Sequence, residues 1–332
     1  MNEAIFFFNN AIVSGLVIGS VYALGAIGVS LIFGILRFAH FAHGDMMTMG
    51  AFATFIVSLL ISGLGLSTSV PIAYFALPIA VALTAAAALS FDKMFYAPLR
   101  NRGAKPVTLL VASIGVTMII QGLIRLFFGT GSHTFYEETS KTIFQIRLPI
   151  EGVRRAITFT EPQVVIVVLT ILVVVALRLF LTRSRFGKAM RAASDNSDLA
   201  EASGINIKQV VRITWMIAGG LACLAGTMLA LDVTLKPDLA FNIVLPIFAA
   251  AIVGGLGHPY GAIIGGYLIG FAESLAVFNW GIFLRPYRDQ LPDWVPANIS
   301  IVPTEYKLTV AFVILIVALL VRPTGILRGS TT

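Results

Sequence analysis

Residues 11–36, AIVSGLVIGSVYALGAIGVSLIFGIL, run for 26 positions without one Asp, Glu, Lys or Arg. A helix advances about 1.5 Å per residue, so roughly 20 such residues cross a hydrocarbon core of about 30 Å. The stretch is long enough to span a membrane. It is too long for the apolar centre of a secretory signal, and Glu3 stands where a basic leader is expected. Working outward, charge-free runs recur at 46–91, 106–124, 162–177, 213–231, 239–272 and 308–321. The run 46–91 divides at 63–71, the run 239–272 divides at Gly257-His258-Pro259, and only Glu273 interrupts 261–283. With flanks from which long basic side chains reach water, nine apolar segments result: 11–36, 38–62, 70–91, 106–128, 162–182, 210–231, 241–257, 261–283 and 306–322. The seventh is short, either a span or re-entrant, so eight to ten crossings bound the fold. The predicted class is all-α, one polytopic transmembrane bundle over residues 1–332.

Composition agrees. Hydrophobic residues are 58% of the 332 and charged ones 12%, against about 45–50% and about 25% in soluble chains. A water-soluble fold of this size could not hide that much apolar surface, and disorder needs the opposite bias. The single cysteine, Cys223, forbids an intrachain disulfide.

Charge placement sets orientation. With nine spans, one face receives Arg37, 92–105, 183–209 with flanking Arg178 and Arg212, and the C-terminal tail. That face carries 14 basic residues and four acids; the other carries eight and ten. The positive-inside rule puts the first set in the cytoplasm, with the N-terminus outside, the C-terminus inside and the longer segment 129–161 in the periplasm. Net charge is +7, but its placement on loops points to the bilayer and not to nucleic acid.

Glycines recur four apart at Gly257, Gly261 and Gly265, at Gly266 and Gly270, and at Gly15 and Gly19. Such spacing lets helix backbones approach where lipid offers no hydrophobic drive. Bundle packing is the simpler reading of them, ligand contact the alternative.

Several chemistries are missing. Gly187-Lys188 continues into Ala without the upstream glycine of a phosphate-binding loop, and Gly255-Leu256-Gly257 does not extend into a dinucleotide fingerprint. There is no G-x-S-x-G and no H-E-x-x-H. Uphill transport by this chain would need an ATPase on another chain. His40, His43 and Asp45 could form a metal site or proton relay. Zinc wants three convergent ligands, Gly44 disturbs local helicity, and a hydrogen-bonded helix break is the competing reading. Glu273, near the middle of segment 261–283, either lines a substrate path or pairs with a neighbouring helix.

Residues 183–209, RSRFGKAMRAASDNSDLAEASGINIKQ, are amphipathic and basic at their start. Asp198 with Glu201 three later reads as a helix cap, and Gly204 as a stop. A solvated loop helix satisfies the same pattern as a docking helix. The pattern Gly187, Arg191-Ala192, Asn196, Ala200, Gly204-Ile205 resembles the cytoplasmic motif of the inner-membrane permeases of branched-chain amino acid ABC importers. The resemblance extends to Gly15–Ser20 with Tyr22-Ala23-Leu24, to Phe41-Ala42-His43-Gly44-Asp45, to 253–257, Gly261-Ala262 and Gly265-Gly266, and to Gly270-Phe271-Ala272-Glu273. His40 replaces a usual Asn, and His258-Pro259-Tyr260 a smaller polar turn.

The resemblance implies a translocation subunit without enzymatic activity in the bacterial inner membrane. It implies a second permease subunit, identical or homologous, two cytoplasmic ATPase subunits and a periplasmic binding protein. The chain itself would hold no cofactor, with ATP on the partner. Gly187, Arg191, Ala192, Asn196, Ala200, Gly204 and Ile205 would couple to the ATPase. The interrupted stretches suggest a path past His40, Phe41, His43, Asp45, Met49, Gly255, Gly257 and Glu273. Branched-chain amino acids are the expected substrates, with urea, short amides and small aromatic acids as alternatives. An ion-coupled secondary transporter using Asp45 and Glu273 is the rival mechanism.

Overall fold

The computed structural model describes residues 2–65, 70–136, 140–147, 149, 155–290, 292, 296, 298–322 and 324–327. The elements are α1 (Asn2–Leu36, with a π-helical turn at Phe8–Val13), α2 (His43–Gly63), α3 (Ala73–Asn101, with a π-helical turn at Asp92–Tyr96) and α4 (Pro106–Phe128). A hairpin, β1 (Ile143–Ile146) and β2 (Ile157–Thr160), precedes α5 (Glu161–Arg183). Then come α6 (Arg185–Asp195), α7 (Ser197–Ala202), α8 (Ile207–Asp232), α9 (Val244–Gly254), α10 (Pro259–Val277) and α11 (Lys307–Val321). Eight helices are long and apolar enough to cross a membrane. The chain is a multi-pass helical membrane protein. Its antiparallel hairpin, pairing Ile143 with Thr160, is the one departure from the all-α expectation among the described residues.

Contacts order the helices along one axis. The end carrying α6 and α7 also holds the end of α1, where Arg37 reaches Ser194, and the 255–257 turn, which Gly325 approaches. At the far end Phe7 packs edge-on against Phe278, and His133 bridges Leu235. The chain therefore passes from end to end nine times among the described residues, beginning at the far end and finishing at the loop end.

Three expected boundaries move. Segment 38–62 is helical only from His43, because Arg37 takes a left-handed conformation (φ 56°) that ends α1 and residues 37–42 fold back between the helices. His43 then lies against Gly28, two turns before the end of α1, so α2 starts well inside the bundle. Segment 241–257 is neither a full span nor a re-entrant loop. Its helix α9 has 11 residues, about 16 Å, and starts beside α2 at Gly44. The irregular chain before it completes the passage from Leu235 at the far end. Such backbone persists at depth only when protein satisfies it, as Thr48 Oγ1 does by accepting from Ala240 N at 3.1 Å. Finally, α3 continues to Asn101, so most of the expected loop 92–105 is helix.

The core is the contact of α1 with α10, α8 and α9. A Cβ on Gly270 would sit 2.5 Å from the Gly19 backbone, and one on Gly266 would sit 2.5 Å from Ala23 N. The four-residue glycine spacing therefore serves backbone approach between α1 and α10. In contrast, α5 and α11 bury only 22% and 6% of their apolar windows, so most of their apolar surface faces outward.

Candidate translocation path and coupling loop

The loop between α5 and α8 is built from consecutive caps. Ser184 is extended and its Oγ accepts from Gly187 N at 2.8 Å, opening α6. A Cβ at Gly187 would overlap the Phe180 carbonyl and the Leu181 backbone, so glycine alone lets α6 fold tightly against the end of α5. Asn196, extended at φ −154°, accepts from Asp198 N and Leu199 N at 3.0 Å and opens α7. The cap is thus Asn196 and not Asp198, which already lies in the first helical turn where its backbone N–H is the group being capped. Gly204 stops α7 at φ +86° with open space around it, and Ile205 N returns to Ala200 O at 3.0 Å. Asn206 Oδ1 accepts from Gln209 N at 3.1 Å and opens α8.

All seven coupling residues expected from the sequence therefore sit on one compact helix–helix unit. Gly187 and Ala200 are buried in it, while Arg191, Asn196 and Gly204 are exposed. The structure adds Phe186 and Leu199, 44% and 65% exposed on this unit, which the motif reading passed over. Apolar side chains inside a basic loop were the available signal.

The inner face of the unit packs on the end of α5 and on the first turns of α8, and it also reaches the end of α1. Arg37 Nη2 donates to Ser194 O at 2.5 Å, placing a cation at the carboxyl end of α6. Gly34 of α1 is close enough that a Cβ would lie 3.1 Å from Ser194 Oγ and 3.2 Å from Gly257 Cα. A cleft of about 520 Å³ opens beside this contact, bordered by Leu181, Arg191, Asp195, His258 and Tyr260. The end of α6 therefore lies against the end of α1 and the α9–α10 turn together.

The eight expected path residues separate into three levels. Within the bundle, Phe41 stacks on Phe248 (4.7 Å, 24°) and its N–H donates to Ser113 Oγ at 3.1 Å. Phe41 and Met49 remain half-buried, and Phe241, just before α9, and Leu245, in its first turn, are exposed. His40 is buried, 3.0 Å from Tyr96 Oη and edge-on to Trp215 at 4.9 Å. His43 is buried against Gly28. Asp45 leaves the histidines and turns to α4, where it accepts from Gln121 Nε2 at 2.9 Å; Gln121 in turn accepts from Arg125 at 3.0 Å. No group of three His, Cys, Asp or Glu converges among the described residues.

Gly255 and Gly257, both at positive φ, form the turn at the loop end. Glu273 lies one turn from the far end of α10 and not at mid-span. It is fully buried, accepts from Tyr22 Oη at 2.9 Å, and lies 3.6 Å from Lys307 Nζ. Of the two readings open for Glu273, the geometry is that of a carboxylate paired between helices.

Residues 11–319 match the family described as the branched-chain amino acid transport system permease component. The chain is 31% identical to the high-affinity branched-chain amino acid transport system permease protein BraD of Pseudomonas aeruginosa, over 97% of this chain and 96% of that protein. It is 30% identical to the corresponding permease protein LivH of Escherichia coli, over 98% and 97% of the two chains. A probable branched-chain amino acid transport permease protein LivH of Methanocaldococcus jannaschii is 29% identical over 79% of each.

Proposed function

The chain belongs to the branched-chain amino acid transport permease family, and from that premise we propose that it is the membrane-spanning subunit of an ATP-driven importer. In this reading it forms the path for branched-chain or related small amino acids across the bacterial inner membrane and performs no catalysis itself. A second permease subunit covers the surface where Phe241 and Leu245 are exposed near Phe41, and the path runs between the two. A periplasmic binding protein delivers substrate to the far end. Two cytoplasmic ATPase subunits hold ATP and grip the loop end, whose basic excess supports a cytoplasmic location.

The observation that carries the reading is the meeting of Gly34, Arg37, Ser194 and Gly257. An ATPase that closes on α6 and α7 would move the end of α1 and the α9–α10 turn as one body, rocking α2 and the short helix α9 about the Phe41–Phe248 pair. That is gating by rigid-body motion. The apolar character of Phe41, Phe248 and Met49 suits a leucine-like side chain and discriminates weakly. An uptake panel of leucine, urea, short amides and aromatic acids separates the substrate classes. The ion-coupled alternative places its coupling-ion site near the midplane, whereas Asp45 and Glu273 are engaged with different helices at different levels.

The test uses Leu199→Cys. The sole native cysteine is buried, so the new thiol is the reactive one. In the assembled importer it should be labelled from the cytoplasmic side and form a crosslink to the ATPase. Labelling only from the periplasmic side would reject the assignment.

A further inference from the structure

Two adjoining cavities on the flank of the bundle have no part in the transport reading. The first is a groove of about 560 Å³ between α3, α5 and α8, whose walls, including Pro78, Ala82, Leu177 and Met216, are apolar. The second is a pocket of about 620 Å³ between α3 and α8 at the loop end, lined by Lys93, Arg100, Lys208 and Arg212 with Asp92. Arg100 is already neutralised, donating to both carboxylate oxygens of Asp92 at 2.6 and 3.1 Å. Lys93, Lys208 and Arg212 make no ion pair among the described residues, leaving three cations at one opening.

The cavities occupy one continuous face. On α8, Lys208, Arg212, Met216, Gly220 and Leu224 recur every four residues and border one cavity or the other. That spacing stacks side chains along one side of a helix. On α3 the bordering residues Pro78, Ala82, Ala85, Leu89 and Lys93 recur at spacings of three or four. Leu89 stands about 6 Å along the axis from Ala85, and Arg212 directly precedes Ile213, so groove and pocket are consecutive along both helices. The pocket also includes Ile207 and Lys208 in the first turn of α8, where backbone N–H groups favour an anion.

We propose that this composite cavity binds an anionic phospholipid, with an acyl chain in the groove and the phosphate among Lys93, Lys208 and Arg212. A free phosphate has no use for the groove. A neutral lipid has no use for three unpaired cations. An acidic group on a protein partner would fill the pocket but leave the groove empty. Basic pockets between spanning helices at a membrane face are suited to acidic headgroups.

The experiment is native mass spectrometry of the full-length, delipidated chain in detergent, with phosphatidylglycerol, phosphatidylcholine or inorganic phosphate added. The wild-type chain should retain phosphatidylglycerol over phosphatidylcholine and hold phosphate only weakly. Lys93→Gln/Lys208→Gln/Arg212→Gln should lower that preference by on the order of tenfold or more. Arg102→Gln/Lys105→Gln, removing charge beside the pocket, should retain it. Ala82→Phe, at an exposed groove position, should weaken both lipids; size-exclusion profiles confirm that the variants are folded. Equal retention of the two lipids, phosphate held as firmly as lipid, or an unchanged preference in the triple variant would overturn the proposal. So would loss of ATPase co-purification in the triple variant with lipid binding intact.

Discussion

Arg37 and Ser194 lie 157 positions apart, yet the guanidinium of one donates to the backbone carbonyl of the other across 2.5 Å. The bond joins the last turn of the loop helix α6 to the end of the central helix α1. A hydrogen bond to a charged donor contributes about 1.5–3 kcal/mol, enough to make two helix ends move together. Arg37→Gln should leave ATP hydrolysis by the assembled importer near wild type and lower uptake by roughly tenfold. Parallel assays of hydrolysis and uptake in proteoliposomes check this.

Gly187 tests the same joint from the α5 side. Any side chain there overlaps the Phe180 carbonyl, which is backbone and cannot rotate away. Gly187→Val should displace α6, costing about 1–3 kcal/mol of local packing, while α5 still inserts. The expected result is normal membrane levels with weakened ATPase co-purification; unchanged co-purification and uptake would show that α6 tolerates the shift.

Packing in the bundle makes a paired prediction. Gly270→Leu forces α10 away from the Gly19 backbone, whereas Gly115 has nothing within 4 Å of a Cβ. Thermal unfolding in detergent should therefore show a clear loss for Gly270→Leu, about 1–3 kcal/mol or more. Gly115→Leu should leave the unfolding of the isolated chain within about 0.5 kcal/mol of wild type.

Glu273 joins three helices through Tyr22 and Lys307. Removing the phenol in Tyr22→Phe leaves a buried carboxylate short of a donor, a loss of about 1–3 kcal/mol. In a double-mutant cycle with Glu273→Gln, the two losses should be clearly non-additive. Additive losses would mean that the 2.9 Å contact contributes nothing to stability.

How far the sequence foretold this arrangement depends on the range of the interaction. Segment 106–128 matches α4 at both ends because its signals are local: Pro106 in the first turn and Gly129 at φ +72° after the last. The helix breaks within 183–209 were legible for the same reason, since each cap bonds within three residues. The cap itself fell on Asn196 and not Asp198, because either residue type can close an N-terminus. Segment 241–257 was not legible. Its unwound entry depends on Thr48 and His133, more than 100 positions away, and hydropathy carries no trace of them. Tyr22 as the partner of Glu273, and Ser194 as that of Arg37, were hidden likewise.

The central claim is that α6 and α7 transmit the work of a separate ATPase to the spanning helices. It is tested most directly by counting substrate molecules taken up per ATP hydrolysed in the reconstituted importer carrying Arg191→Glu or Gly204→Trp. Both positions are exposed, so insertion and folding should persist. The account predicts continued hydrolysis with the transport ratio lowered at least tenfold in each variant. A wild-type ratio in both would contradict it.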